Sequence, residues 1–399
     1  MSEGITLFFI LLVFYLVECL SWLDRNSVAF VSFTGKYWQI FLSNKYFGND
    51  KGGFSIANPL PPLGTVFFCS LLPVSFSNTH ICSQISQTLI NDIKIEKDAK
   101  LIKYDEIKSV SVIDKDVFIN GEMFVKCCAS TQAIFIKDIL LKLILLKDEQ
   151  LENEIKIIIQ ETFDIETAKQ KIEAYNSKSY MLRACCNLLF IYIFLIVPLL
   201  IYFYGTIKLF VSLLIIMYLL SISVSVIFYS IHKIFYPTEK GERMVDVVKM
   251  VIFPPTAIRA HDFISLNLLI NYHPLTVAKI LCDTINFSCF SKNVLIDLKY
   301  SLVNNFENEQ TTLINKWHKH NLRKHVDAFL YNNNVDVRNL LAAPLQENPS
   351  CKSYCPRCEA QYTLQQGSCS TCGSIALIPF NAYEAYTQNQ KAGESKSCK

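Results

Sequence analysis

Two long apolar runs, residues 184–204 and 209–231, dominate the hydrophobic and polar pattern of this chain. They fold about Tyr204-Gly205-Thr206, and from Ala184 to Ser230 the only formal charge is Lys208. At about 1.5 Å per residue the first run reaches roughly 31 Å, close to the thickness of a bilayer's hydrocarbon core. Lipid offers the backbone no partners, so both runs predict helices. Pro198 removes one donor from the first and predicts a kink. The polar residues of this hairpin are Asn187 and serines 212, 221, 223 and 225. Serines bond back to their own helix or across to a neighbour. With no ionisable group at mid-depth, the hairpin reads as an anchor rather than a conduit.

A third apolar run, Gly4 to Trp22, is broken only by Glu18. No basic residue precedes it and Cys19-Leu20-Ser21-Trp22 is a poor cleavage site, so it predicts an uncleaved anchor rather than a signal peptide. Basic residues follow it at Arg25, Lys36, Lys45 and Lys51, which puts the N-terminus outside. Lys178 and Arg183 precede the hairpin; His232, Lys233, Lys240 and Arg243 follow it. Both hairpin ends are therefore expected in the cytoplasm, the same orientation.

Between the anchors, residues 23–82 alternate strand-like stretches with turn residues. The run 60–76 is apolar but short, and predicts a re-entrant or interfacial piece, with a buried strand as the alternative. Residues 83–183 predict a small α+β domain. Its strands flank Asn120-Gly121, the dipeptide of a tight hairpin, and Thr131 to Leu146 places Ile136, Ile139, Leu140 and Leu143 at helical spacing. Residues 232–350 predict a helical segment punctuated by Phe253-Pro254-Pro255 and His273-Pro274. Residues 381–399 are polar and predict a disordered tail.

The expected fold is thus an α-helical integral membrane protein: an anchor over 1–22, segment 23–82, α+β domain 83–183, hairpin 184–231, helical segment 232–350, then residues 351–380. A mean hydropathy of +0.27 and 51% hydrophobic residues over 399 positions fit this division. A net charge of +3 does not by itself point to nucleic acid. Fifteen cysteines, scattered and odd in number, argue for a reducing compartment rather than a disulfide framework.

Only one set of cysteines has ligand spacing. Cys355-Pro356-Arg357-Cys358 and Cys369-Ser370-Thr371-Cys372 form two Cys-x-x-Cys pairs, each a tight turn that converges two sulfurs on one cation. With proline after the first cysteine and Gly373 after the last, residues 354–380 resemble a zinc ribbon of the rubredoxin-like kind. Glu359 stands where that family's first knuckle often has glycine. The resemblance implies one structural Zn2+ held by Cys355, Cys358, Cys369 and Cys372, with Cys351 and Cys398 as spare thiols. Two disulfides or an iron site are the alternatives.

The glycine-rich and nucleophile-elbow signatures of nucleotide-binding and hydrolytic enzymes are absent, as is a H-E-x-x-H pair. The expected function is a membrane-anchored scaffold or adaptor, with the bilayer and a cytoplasmic protein as partners and no substrate class legible. The alternatives are a membrane enzyme using His261, Asp262 or His273, a transporter or channel component, and a nucleic-acid binder using Lys316 to His325 with the ribbon.

Overall fold

A computed structural model of the chain describes residues 3–23, 27–33, 36–40, 53–56, 65–83, 86–90, 93–97, 100–204, 207–300, 309–372 and 375–380. The hairpin turn 205–206 and the tail 381–399 lie outside these residues. Helix α1 covers Glu3–Glu18; strands β1 (Leu20–Leu23), β2 (Ser27–Phe33), β3 (Lys36–Ile40), β4 (Gly53–Ile56) and β5 (Val66–Ser70) follow. Strands β6 (Val74–Phe76), β7 (His80–Ser83), β8 (Ser86–Ile90), β9 (Ile93–Lys97) and β10 (Leu101–Lys103) lead to a meander of β11 (Val110–Ile113), β12 (Asp116–Ile119) and β13 (Glu122–Lys126). All pairings are antiparallel: β3-β2-β5, β1-β4, β10-β7-β6, β8-β9 and β11-β12-β13.

The turn between β12 and β13 has Asn120 at φ 53° and Gly121 at φ 84°, the positive pair of a type I′ hairpin. The Asn120 side chain accepts from the amides of Lys108 and Ser109 and donates to the Glu106 carbonyl, so one residue ties the turn to the preceding loop. Against this meander packs α2 (Ser130–Leu143), followed by α3 (Asp148–Glu161) and α4 (Ile165–Lys178). Strand pairing crosses the expected boundary at residue 82, because β7 joins β6 to β10. The expected re-entrant piece 60–76 is described from residue 65 onward, and there it forms β5 and β6. Val66, Phe67, Cys69, Val74 and Phe76 have no exposed surface. Both faces of these strands are covered, so they carry a continuous apolar run instead of an alternating one.

The first long apolar run is helical over α5 (Tyr180–Ile191) and α6 (Val197–Tyr204), joined by a π-helical turn at Tyr192–Ile196. Pro198 explains that turn: its ring displaces the carbonyl four residues back, Phe194, which lies inside the widened turn. The second run is α7 (Ile207–Phe235). Tyr192 donates across the pair to the Leu213 carbonyl at 2.9 Å. Both helices are long and apolar enough to cross a membrane, and only 28% of each apolar window is buried in the fold. The N-terminal run is shorter than expected. Helix α1 has 16 residues, roughly 24 Å, because the last residues of that run, 20–22, belong to β1. It lies beside α5 and α6 through Tyr15, Phe190 and Phe194.

After α7 come α8 (Lys240–Ile252), α9 (Pro254–Ala257), α10 (Ala260–Leu268), α11 (Pro274–Leu281), α12 (Thr284–Tyr300), α13 (Glu309–Asn332) and α14 (Val337–Leu340). The last strands, β14 (Ser353–Tyr354), β15 (Gln361–Tyr362) and β16 (Ile378–Pro379), form one small sheet with β14 central.

Helix α10 is where these parts meet. Ser265 donates to the Val66 carbonyl of β5 at 2.7 Å, and just beyond the helix Ile270 accepts from the Ser70 amide. Tyr175 of α4 donates to the His261 carbonyl, and Tyr236, after α7, to that of Ile264. At its start Arg259 and Asp262 form a 2.5 Å ion pair, each side chain only 3% exposed. Asp262 also faces His261 at 3.3 Å. One buried apolar cluster runs from Tyr15 through Phe67, Ile136, Tyr175 and Ile264 to Leu330.

Breaking one partner of a buried ion pair costs about 3–5 kcal/mol, whereas an apolar replacement of both costs far less. Asp262→Asn is therefore expected to lower the unfolding midpoint in detergent strongly, and Arg259→Met/Asp262→Leu to recover most of the loss. An Asp262→Asn protein that melts with the wild type contradicts the role given to the pair.

Candidate metal centre

The four cysteines of the two Cys-x-x-Cys pairs come together at the C-terminus. Their sulfurs all lie within 4.8 Å of one another, Cys358 and Cys369 at 3.5 Å. Four thiolates bonded tetrahedrally at about 2.3 Å stand roughly 3.8 Å apart, so the donor set fits a single metal ion. Cys355, Cys369 and Cys372 are buried and Cys358 is exposed.

Local backbone geometry builds each knuckle. Cys355 donates its amide to the Ala360 carbonyl, and the Glu359 amide donates back to the Cys355 carbonyl at 2.9 Å. Glu359 closes this turn at φ 60°, the left-handed region that explains why glycine is common there. A glutamate pays about 1 kcal/mol or more for that conformation, and its carboxylate is held by Lys292 of α12 at 2.5 Å. In the second knuckle the Cys369 amide donates to Ile375 and the Cys372 amide to the Cys369 sulfur at 3.2 Å. Gly373, expected to complete that turn, lies outside the described residues. Cys351 is half-buried outside the cluster, and Cys398 is not among the described residues.

Two features of the centre were not visible in the cysteine spacing. Tyr362 on β15 places its hydroxyl 3.2 Å from the Cys369 sulfur. The cluster also rests on α12, where Ile296, fully buried, packs among Cys355, Cys369, Cys372, Ile375 and Leu377. The Ala376 amide donates to the Tyr300 carbonyl at 3.0 Å. Lys292, Ile296 and Tyr300 fall at successive four-residue steps, so one face of α12 carries all three contacts.

Burial pushes the Cys355 thiol up to about 11, and drives Cys372 higher still, helped by the neighbouring sulfurs of Cys355 and Cys358. Burial also raises Cys369, but the Tyr362 hydroxyl and the Cys372 amide outweigh it and bring that thiol down to about 6. Cys369 is thus the thiol most readily ionised of the three shifted ones, and a metal binding here would displace the remaining protons. Four sulfur ligands leave no open position for water or substrate, so the centre can serve folding rather than catalysis.

The other candidate residues go to separate places. His261 and Asp262 sit in the buried network of α10. His273 instead caps α11, its Nδ1 accepting from the Leu275 amide, and its ring stacks on Phe163 at 4.4 Å. Burial holds it neutral, its pKa lowered to about 3. Along Lys316 to His325, His318 accepts from the Phe76 amide at 3.4 Å. His325 lies over Phe163, with its pKa lowered by burial and by Lys156. His320, Lys316 and Lys324 are exposed. His318 and His325 hold the packing of α13, and among the described residues no metal-type cluster includes these histidines.

Metal capture at this centre is expected to weaken as pH falls. For Cys369 the advantage is complete above the free-thiol value of about 8.5 and is lost as pH drops through about 6. Tyr362→Phe removes the hydroxyl that favours the thiolate, so competition against a chromophoric chelator should show weaker binding at pH 6.5 and a vanishing difference near pH 9. An effect that grows with pH instead would contradict this assignment.

No family model matches the chain, and comparison with curated proteins and with solved structures finds no significant match.

Proposed function

We propose that this protein is a membrane-anchored scaffold or adaptor, with α5–α6 and α7 as a transmembrane hairpin and with cytoplasmic domains that dock another protein. In this reading the C-terminal module is a zinc ribbon, the metal is structural Zn2+, and the ribbon supplies one docking surface. The observation that carries the proposal is the closed four-sulfur cluster seated on α12. A saturated metal site offers no catalytic position, and fixing a small module to a helix gives it a rigid, defined face. Four thiolates and a tetrahedral spacing suit zinc best among the common divalent ions.

Membrane anchoring is supported by the two long apolar helices and by how little of each is covered. Soluble domains do not leave contiguous apolar surface of this extent open to water. Basic residues at both outer ends of the pair favour a cytoplasmic placement for the domains on either side of the hairpin, with the turn and the N-terminus outside. Lys178 and Lys233 fit that pattern directly. Arg243 follows it in sequence, although its side chain is buried over the Tyr229 ring. His273 caps α11 and Asp262 is paired with Arg259, structural roles that weigh against either serving as a catalytic group.

Affinity purification after cross-linking, with the intact wild type beside a Cys355→Ser/Cys358→Ser protein, tests the proposal. The expected result is a stoichiometric partner captured by the wild type and lost from the variant, while the variant stays in the membrane fraction. Equal recovery of partners by both proteins removes the ribbon from the docking role. Substrate turnover by the purified protein alone would overturn the scaffold assignment.

A further inference from the structure

Helix α8 does not leave the apolar pair but turns back along it. Arg243, in its first turn, donates to the Tyr236 carbonyl at 3.2 Å, whereas Met250, near its end, accepts from the Ser221 hydroxyl at 2.6 Å. The two helices are therefore antiparallel neighbours. Across the pair, Tyr192 bonds Leu213. Eight residues further along α7 is Ser221, and eight residues back from Tyr192 on the opposing helix is Ala184. Ser221 itself lies about ten residues inside the Ile231 end of the second apolar run, so Met250 sits alongside that run rather than beyond it.

Past that level the chain goes on as Val251-Ile252-Phe253-Pro254-Pro255, and no charged residue occurs between Lys249 and Arg259. Phe253 meets Phe14 of α1 at 6.1 Å, and the adjacent Tyr15 meets Phe190 at 5.9 Å. The tip of the turn is therefore about six residues of helix beyond Ala184, roughly 9 Å. Charge is graded along α8. Lys240, Glu242, Arg243 and Asp246 occupy its first half, and Lys249 reaches back to Asp246 at 3.8 Å, as a lysine at an interface does.

The outward face of α8 is apolar and open: Val248, Ile252 and Phe253 are each about half exposed (49%, 54% and 49%). It has an immediate neighbour of the same character. Phe14 stands beside Phe253, and Phe9, Ile10, Val13 and Val17 of α1 are also exposed, so one apolar belt continues from α8 onto α1 and the long pair.

We propose that the C-terminal half of α8 and the Phe253-Pro254-Pro255 tip form a re-entrant element that enters the bilayer leaflet at the Ala184 end of the spans, with Val248, Ile252 and Phe253 covered by lipid acyl chains. The proposal rests on the membrane-anchored reading of α5–α7. The backbone of this element stays satisfied at that depth because Ser221 supplies a donor to α8 and the Cys186 sulfur faces the Ala257 carbonyl at 3.5 Å, which is the condition for non-spanning backbone in lipid.

The test uses the full-length protein in phosphatidylcholine vesicles, with and without acyl-brominated phosphatidylcholine. Tryptophan is introduced singly as Phe253→Trp, Ile252→Trp, Ile215→Trp on the exposed side of α7, and Ile113→Trp on the exposed meander. Emission is read as the difference from wild type, which carries Trp22, Trp38 and Trp317. The expected result is loss of the added emission for the probes at 253, 252 and 215, and none for the probe at 113. Quenching at 215 without quenching at 253 or 252 overturns the re-entrant element and leaves the anchor standing. Absence of quenching at all four positions overturns the anchor, and the inference with it.

Discussion

Burying a charged pair is costly unless its geometry is good and its remaining atoms find partners, and this protein places such a pair at the junction of its apolar helices and its strands. Arg259 and Asp262 stand one turn apart on the first turn of α10, 2.5 Å from each other. Tyr15 and Cys19, at the end of α1, lie close enough to act on the guanidinium. From the same helix, backbone carbonyls reach Tyr175 and Tyr236, and Ser265 reaches β5. Each contact draws on a different part of the chain, so the start of α10 ties these parts into one core. The pair itself adds little net stability, since an apolar pair of similar volume could pack as well.

The C-terminal module answers a different constraint. Its strands are two residues each and its core is six buried side chains, one of which, Ile296, belongs to α12. So small a core cannot offset the entropy of ordering its loops. A cation gathering four sulfurs supplies what burial does not. Because Ile296 packs directly on three of those cysteines, a metal held there would also secure the module to the rest of the protein. The Lys292–Glu359 contact adds little energy at its exposed position, but it holds the one residue of the first knuckle that takes a left-handed conformation without being glycine.

Much of this was legible in the order of residues, where one short stretch was sufficient to specify the outcome. Asn120-Gly121 set a hairpin because both positions need positive φ. The runs 184–204 and 209–231 set two long helices because nothing interrupts them, and Pro198 marked the distortion at Tyr192–Ile196. The two Cys-x-x-Cys pairs announced their convergence. What stayed hidden depends on distant partners. Arg259 and Asp262 at a three-residue spacing look like an ordinary surface pair, and only the packing around α10 buries them. The run 60–76 was too short to tell an interfacial piece from a strand by composition; its described part, from residue 65, pairs with β2 and β7. The return of α8 along α7 and the seat of the C-terminal module on Ile296 follow from tertiary contacts that no local pattern encodes.

The central claim is that α5–α6 and α7 anchor this protein in a bilayer with the ribbon on the side where both helices end in basic residues. Alkaline carbonate extraction of membranes, followed by protease treatment of sealed vesicles with an epitope after residue 380, measures this directly. The account predicts that the protein stays in the carbonate-resistant pellet and that the epitope is digested only when the cytoplasmic face is accessible. Release of the intact protein into the carbonate supernatant would contradict it.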